Sequence, residues 1–145
     1  MQRLNLPEVT LRVEEGRIFC LVRKKWVVLT PEEWVRQHFL GLLIHHLDYP
    51  RGMMKLEHTM AYFKNTKRSD ITVLDREQGV FLLVECKSPV VVIDQKVVNQ
   101  LAEYNKVLDA RFLATSNGLK HFVWEKTKEG LKQINEFPNY IREKL

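Results

Sequence analysis

Arg68-Ser69-Asp70-Ile71-Thr72-Val73-Leu74 is followed by Asp75-Arg76-Glu77-Gln78-Gly79 and then by Val80-Phe81-Leu82-Leu83-Val84-Glu85-Cys86-Lys87. Both apolar runs have the length of a buried strand and are rich in β-branched and aromatic residues. The polar five between them have the composition of a hairpin loop. In an antiparallel pair the start of one strand lies beside the end of the next, so Asp70 and Glu85 are expected to meet at one end of the sheet. Residues i and i+2 of a strand share a face; Glu85 and Lys87 therefore point one way and Cys86 the other. Two carboxylates and an ammonium converge at the rim of an oily hairpin, where charge is costly unless paired or bound. Two readings are open here. One is an ion-pair cluster, Asp70–Lys87–Glu85, capping the strand ends. The other is a site for a hard cation such as Mg²⁺, which takes oxygen ligands and keeps several waters. Such an ion would activate water and neutralise charge developing on a phosphate, and the lysine would orient that water or stabilise that charge.

Outward from the hairpin, the chain has 145 residues, 45% hydrophobic and 28% charged. One soluble domain over 1–145 is expected. The net charge of +5 weakly favours an anionic partner. Cys20 and Cys86 lie far apart, one inside an expected core strand, the pattern of free thiols in a cytosolic protein. Met1-Gln2-Arg3-Leu4-Asn5 contains no apolar signal-peptide core, and no apolar run approaches the ~18 residues of a membrane span. A cytoplasmic location without a membrane partner is expected.

Before the hairpin, residues of about 9–29 read as a β-ribbon: Val9–Val13, a Glu14-Glu15-Gly16 turn, Arg17–Arg23 and Trp26–Leu29. Arg12, Arg17, Arg23, Lys24 and Lys25 make it basic, either as a DNA-facing surface or as a solvated ribbon. Thr30-Pro31-Glu32-Glu33 is a helix start, with Thr30 as N-cap, Pro31 in the first position and Glu33 completing a capping box. The helix is expected to reach about Leu47, with Val35, Phe39, Leu42, Leu43 and Leu47 as its apolar stripe. Glu32 and Glu33 serve either as cap and dipole partners or as a carboxylate reaching the hairpin site. The histidines His38, His45, His46, His58 and His121 lack the grouping of a zinc site. A strand is expected over Lys55–Phe63, with a turn at Lys64–Lys67; Glu57 lies on it, near the site or on the opposite face.

After the hairpin, a helix is expected from about Asp94 to Leu108, with Gln100 and Tyr104 one turn apart on one side. Strands at Arg111–Thr115 and Lys120–Glu125 flank the turn Ser116-Asn117-Gly118. A loop at Lys126–Gly130, a short edge strand at Leu131–Ile134 and a final helical turn after Tyr140 complete the reading. The core therefore covers about 30–125 and a C-terminal extension 126–145.

Four segments together carry a resemblance. They are Thr30-Pro31-Glu32-Glu33-Trp34-Val35-Arg36-Gln37, Lys67-Arg68-Ser69-Asp70-Ile71, Val84-Glu85-Cys86-Lys87-Ser88-Pro89 and Gln100-Leu101-Ala102-Glu103-Tyr104-Asn105-Lys106. In this order the chain resembles the PD-(D/E)XK nuclease superfamily, and more closely the N-terminal nuclease domain of type I restriction enzyme R subunits, over roughly residues 25–125. The turn Thr115-Ser116-Asn117-Gly118 is similar too. The resemblance implies a restriction-endonuclease-like α/β fold: a mixed central sheet flanked by helices, in an α-β-β-β-α-β core. It implies that Asp70 and Glu85 bind Mg²⁺ or Mn²⁺, that Lys87 is the catalytic lysine, and that Gln100 and Tyr104 form the Gln-x-x-x-Tyr pair of RecB-like nucleases. Glu33 or Glu32 would complete the metal shell. Ser69 stands where the superfamily's eponymous proline would be. No Gly-x-x-x-x-Gly-Lys-Ser/Thr phosphate loop occurs, so DNA translocation is not expected of this chain alone. Two readings stay open: a stand-alone nuclease-like domain, with or without a motor or specificity subunit in trans, and a fragment of something larger.

The expected function is a metal-dependent DNA endonuclease with DNA as partner, in which a homodimer would allow both strands to be cut. The alternative is a non-cleaving nucleic-acid-binding module of the same fold, whose affinity would come from phosphate contacts and fall with salt. A structural protein using the sheet edge has no residue pattern in its favour.

Overall fold

The structure is a computed structural model that describes residues 2–60, 67–77 and 79–140, without the side chains at 57–60 and 67–69. The expected strand end at 61–63, the turn at 64–66, the direction of the Glu57 side chain and the helical turn beyond 140 lie outside the described residues.

Three short strands, β1 (Val13–Glu14), β2 (Arg17–Phe19) and β3 (Trp26–Val28), form the expected ribbon, antiparallel in the order β1-β2-β3. Helix α1 (Pro31–Gly41) starts where the capping box put it: the Glu33 amide donates to the Thr30 hydroxyl at 3.0 Å. It does not run regularly to Leu47. Leu42–His46 is a π-helical turn, closed by the Leu47 amide on the Leu42 carbonyl, and Asp48 follows with φ of 55°. Val35, Phe39 and Leu43 of the expected stripe are fully buried, as is Leu40 outside it, whereas Leu42 and Leu47, in and just after the widened turn, are only half-buried.

The main sheet contains β4 (Met54–Met60), β5 (Lys67–Leu74), β6 (Val80–Cys86), β7 (Phe112–Ser116), β8 (His121–Thr127) and β9 (Gly130–Ile134), in sequential spatial order. All neighbours are antiparallel except β6 and β7, which are parallel. A parallel pair requires a long crossover, supplied here by α2 (Gln95–Leu108), whose N-cap Asp94 accepts from the Val97 amide. Asn105 clamps the helix exit by bonding both the amide and the carbonyl of Ala110. This is the expected mixed, restriction-endonuclease-like α/β architecture. Lys126 and Thr127 belong to β8 rather than to a loop, because the β8–β9 ladder continues to Thr127 opposite Gly130. The sheet thus runs past residue 125.

Alternation along the strands divides the core. Leu82, Val84 and Cys86 pack with Ile71, Val73 and Ala114 under α1, while Leu83 and Leu113 face Leu101, Val98 and Leu108 of α2. Each such buried aliphatic or aromatic side chain contributes about 1.5–3 kcal/mol. Among the described residues no helix is long and apolar enough to cross a membrane.

Two tethers fix what surrounds the hairpin end. The ribbon is held to the core because the Leu21 amide donates to Gln37 Oε1 at 3.0 Å and Arg51 Nη1 to the Leu21 carbonyl at 3.1 Å. The start of the chain is strapped over the β7–β8 turn: the Asn5 amide donates to the Gly118 carbonyl at 2.8 Å, and His121 Nε2 to the Asn5 carbonyl at 2.7 Å. Gly118 has φ of 87°, and a Cβ there would meet Leu4 Cδ2 at 2.7 Å, so this close approach requires glycine.

Candidate active site

The β5–β6 register sets Ile71 opposite Val84, which brings Asp70 beside Glu85 and Cys86 at one end of the hairpin. The Cys86 amide donates to Asp70 Oδ2 at 2.6 Å, so the first acid is held by the strand that bears the second. Lys87 Nζ lies 3.2 Å from Glu85 Oε1, on the shared face that alternation requires. The Lys87 amide donates to the Ser116 carbonyl, which anchors the lysine at the end of β7. These three expected residues are therefore neighbours.

The electrostatics are those of acids withdrawn from water. Burial, then the charge of Asp70, push Glu85 from 4.5 up to about 7 against the pull of Lys87. Burial also raises Asp70, although Arg36, the Cys86 amide and Lys87 all favour its ionised form. The Cys86 thiol is driven well above its ordinary value by burial and by Asp70. It stays protonated, which removes it as a nucleophile.

Glu33 does not join this pair as a third open carboxylate. Its Oε1 accepts from Arg36 Nη1 at 2.5 Å and from Arg23 Nη2 at 3.1 Å, and its Oε2 accepts from Gln37 Nε2 at 2.9 Å. Glu32 is exposed, and its charge bears on Glu85. Among the described residues, no three or more His, Cys, Asp or Glu side chains are grouped to hold one ion. Of the three acids implied as metal ligands, the structure joins Asp70 and Glu85.

Tyr104 is half-buried on α2 and faces the pair: burial, then the charges of Glu85 and Asp70, raise its phenol. Gln100 is exposed one turn before it.

Arg36 is the residue that reading the sequence missed. Its Nη2 donates to Asp70 Oδ1 at 2.6 Å while Nη1 holds Glu33, and its side chain is only 7% exposed. Burial alone would lower its pKa, but Asp70 and Glu33 outweigh that and raise it. It is thus a permanent cation joining the first helix to the hairpin. Its place three residues after Glu33 was a signal, but its second partner lies 34 residues away. The apolar stripe alone assigns such an arginine to solvent.

A family model described as type I restriction enzyme R protein N terminus matches residues 31–138, from the start of α1 to beyond β9. No curated protein matches the chain. The match covers well over half of the 145 residues and includes both acids, the lysine and the helix that holds Arg36. The chain belongs to the type I restriction enzyme R protein N-terminal family.

Proposed function

We propose that the chain is a divalent-metal-dependent DNA endonuclease, in which Asp70, Glu85 and Lys87 carry the chemistry. The observation that carries this reading is the pair of adjacent, largely buried acids, one of them raised to about 7, beside a lysine. An ion-pair cluster that only capped strand ends would gain nothing from a second buried acid that repels the first. Family membership supports a restriction-related nuclease role, with DNA as substrate and other subunits as partners.

The donor set fits Mg²⁺ or Mn²⁺. Among the described side chains it offers carboxylate oxygens with no histidine or reactive thiolate, and Mg²⁺ is commonly held by one or two carboxylates together with substrate phosphates. Each carboxylate has about four acceptor positions. Asp70 therefore keeps lone pairs beyond those used by Arg36 and Cys86, and Glu85 beyond that used by Lys87. Bound there, the cation would supply Lewis acidity at the phosphate and a more acidic water. Arg36 holds Asp70 in place and favours its ionised form against the burial that raises its pKa. The Lys87 ammonium is positioned to orient the attacking water or to stabilise negative charge on the phosphate. Tyr104 lies within electrostatic reach of Glu85 and Asp70, and its phenol stays protonated, a hydrogen-bond donor, at neutral pH. Glu32, exposed at the start of α1, is a first-helix acid whose charge reaches Glu85.

A non-cleaving DNA-binding module is the second reading. What favours it is that Asp70, Glu85 and Glu33 each already have a protein cation. Calorimetric titration with Mg²⁺ and Mn²⁺ separates the two. The nuclease reading expects saturable binding that Asp70→Asn and Glu85→Gln each abolish. No saturable binding to the wild type, or binding unchanged in both variants, would reject it.

A further inference from the structure

A phosphodiester approaching Asp70 and Glu85 meets negative charge, and among the described side chains the cations at that charge are already paired. Arg36 bridges Glu33 and Asp70, Arg23 holds Glu33, and Lys87 pairs with Glu85. Further cations beside the pair would help to hold the backbone of a polyanion. The ribbon stands beside this cluster. Its β2–β3 turn carries Arg23-Lys24-Lys25, and Arg23 connects through Glu33 and Arg36 to Asp70. Lys24 and Lys25, the next two residues, are exposed at the turn. The turn is fixed from within, since the Cys20 amide donates to the Lys25 carbonyl at 2.9 Å and the Lys24 amide to the Cys20 carbonyl at 3.1 Å.

The outer face of the ribbon continues the positive charge. Phe19 pairs with Trp26 across β2 and β3, so both rings lie on one face, while Ile18 is buried on the other. The exposed Arg12 guanidinium sits 4.8 Å from the Phe19 ring centre and 5.1 Å from that of Trp26. This cation–π seat fixes a long side chain before any partner arrives. Arg17 lies opposite Glu14, which offsets its charge. The remaining track is Arg12, Lys24 and Lys25.

We propose that this ribbon, which precedes the segment matched by the family model, is a phosphate-binding surface that docks duplex DNA next to the Asp70–Glu85 centre through Arg12, Lys24 and Lys25. The proposal rests on the nuclease reading for its substrate, yet docking needs neither metal nor cleavage and is tested without them.

The experiment is fluorescence anisotropy of a labelled duplex in EDTA, with the full chain, as a function of salt. Log affinity falls against log salt by about 0.9 per neutralised phosphate. Lys24→Gln/Lys25→Gln is expected to weaken binding and to reduce that slope by about 1.8; adding Arg12→Gln removes about 0.9 more. Lys128→Gln/Lys132→Gln removes the same charge at the far end of the sheet and is expected to leave the slope as in the wild type. Circular dichroism and melting establish that each variant is folded. The Lys24/Lys25 pair reads the turn even if loss of Arg12 disturbs the aromatic pair. Four results would each overturn the proposal: no binding of duplex by the wild type, an unchanged slope in Lys24→Gln/Lys25→Gln, an equal loss in the Lys128/Lys132 control, or tighter ribbon-dependent binding of single-stranded DNA or RNA than of duplex. Ribbon-dependent binding by a chain that never cuts with Mg²⁺ or Mn²⁺ would reject the nuclease reading and leave the docking surface standing.

Discussion

Replacing Glu85 with glutamine should stabilise the protein at neutral and alkaline pH. The acid titrates at its ordinary value, 4.5, in the unfolded chain and at about 7 in the folded one, because of burial first and Asp70 second. Its folded pKa is raised, so the sign is fixed. Below 4.5 both states are protonated and nothing is lost. Between 4.5 and about 7 the unfolded state releases its proton first, and folding stability falls as pH rises. Above about 7 the loss is complete. At about 1.4 kcal/mol per pH unit, moving from 4.5 to about 7 costs about 3 kcal/mol, and the side chain's 17% exposure makes that an upper figure. The chain's 145 residues give an unfolding entropy of about 0.3 kcal/mol/K, so the loss amounts to about 10 °C in Tm. The assay is thermal unfolding of wild type and Glu85→Gln in EDTA from about pH 4 to about pH 8. The variant should match the wild type at the acid end and melt up to about 10 °C higher at the alkaline end. Added Mg²⁺ should narrow the gap, since a bound cation stabilises the ionised wild-type acid. A gap that stays constant with pH, or a wild type that becomes the more stable protein as pH rises, would refute the reasoning.

Arg36→Met leaves Glu33 and Asp70 buried without their shared cation and should cost about 3–5 kcal/mol at neutral pH; the loss should shrink toward acid pH as the carboxylates protonate, and an equal Tm for both proteins would contradict it. Mg²⁺ at about a hundred times its Kd should add about 2.7 kcal/mol to stability, read as a rise in Tm that Asp70→Asn loses; a rise of the same size in that variant would place the ion elsewhere. Gly118→Ala forces a side chain onto a φ of 87° and against Leu4. It should lower the urea midpoint by about 1–2 kcal/mol of stability, and an unchanged midpoint would show that the strap adjusts freely.

Much of the fold was legible because it rests on local rules. Two apolar runs around the polar turn 75–79 set the hairpin, and antiparallel geometry put Asp70 near Glu85. The side-chain cap at Thr30 set the first helix start, and the second was placed near Asp94, which the structure shows to be its cap. The rest depends on contacts between distant residues. Leu42–His46 widened into a π-helical turn that no propensity in Leu-Leu-Ile-His-His indicates; Leu42 and Leu47 of the expected stripe are only half-buried, while Leu40 outside it is buried. Glu33 could be read as a free carboxylate because its arginine partners come from a preceding turn and from its own helix. Arg36 was legible only as part of a motif, since its bond to Asp70 appears once α1 has packed against the hairpin. The β8 strand ran longer than expected because ladder pairing with β9 extends it through Lys126 and Thr127, polar residues with no apolar alternation to announce a strand.

The central claim is that Asp70, Glu85 and Lys87 hydrolyse DNA phosphodiesters with a divalent cation, and plasmid cleavage tests it most directly. Supercoiled plasmid is incubated with Mg²⁺ or Mn²⁺ and with wild type, Asp70→Ala or Lys87→Ala, each shown to be folded. Nicked or linear DNA from the wild type, absent in EDTA and lost in both variants, is the expected result. Intact plasmid with the wild type under every metal condition, or cleavage retained by both variants, would contradict it.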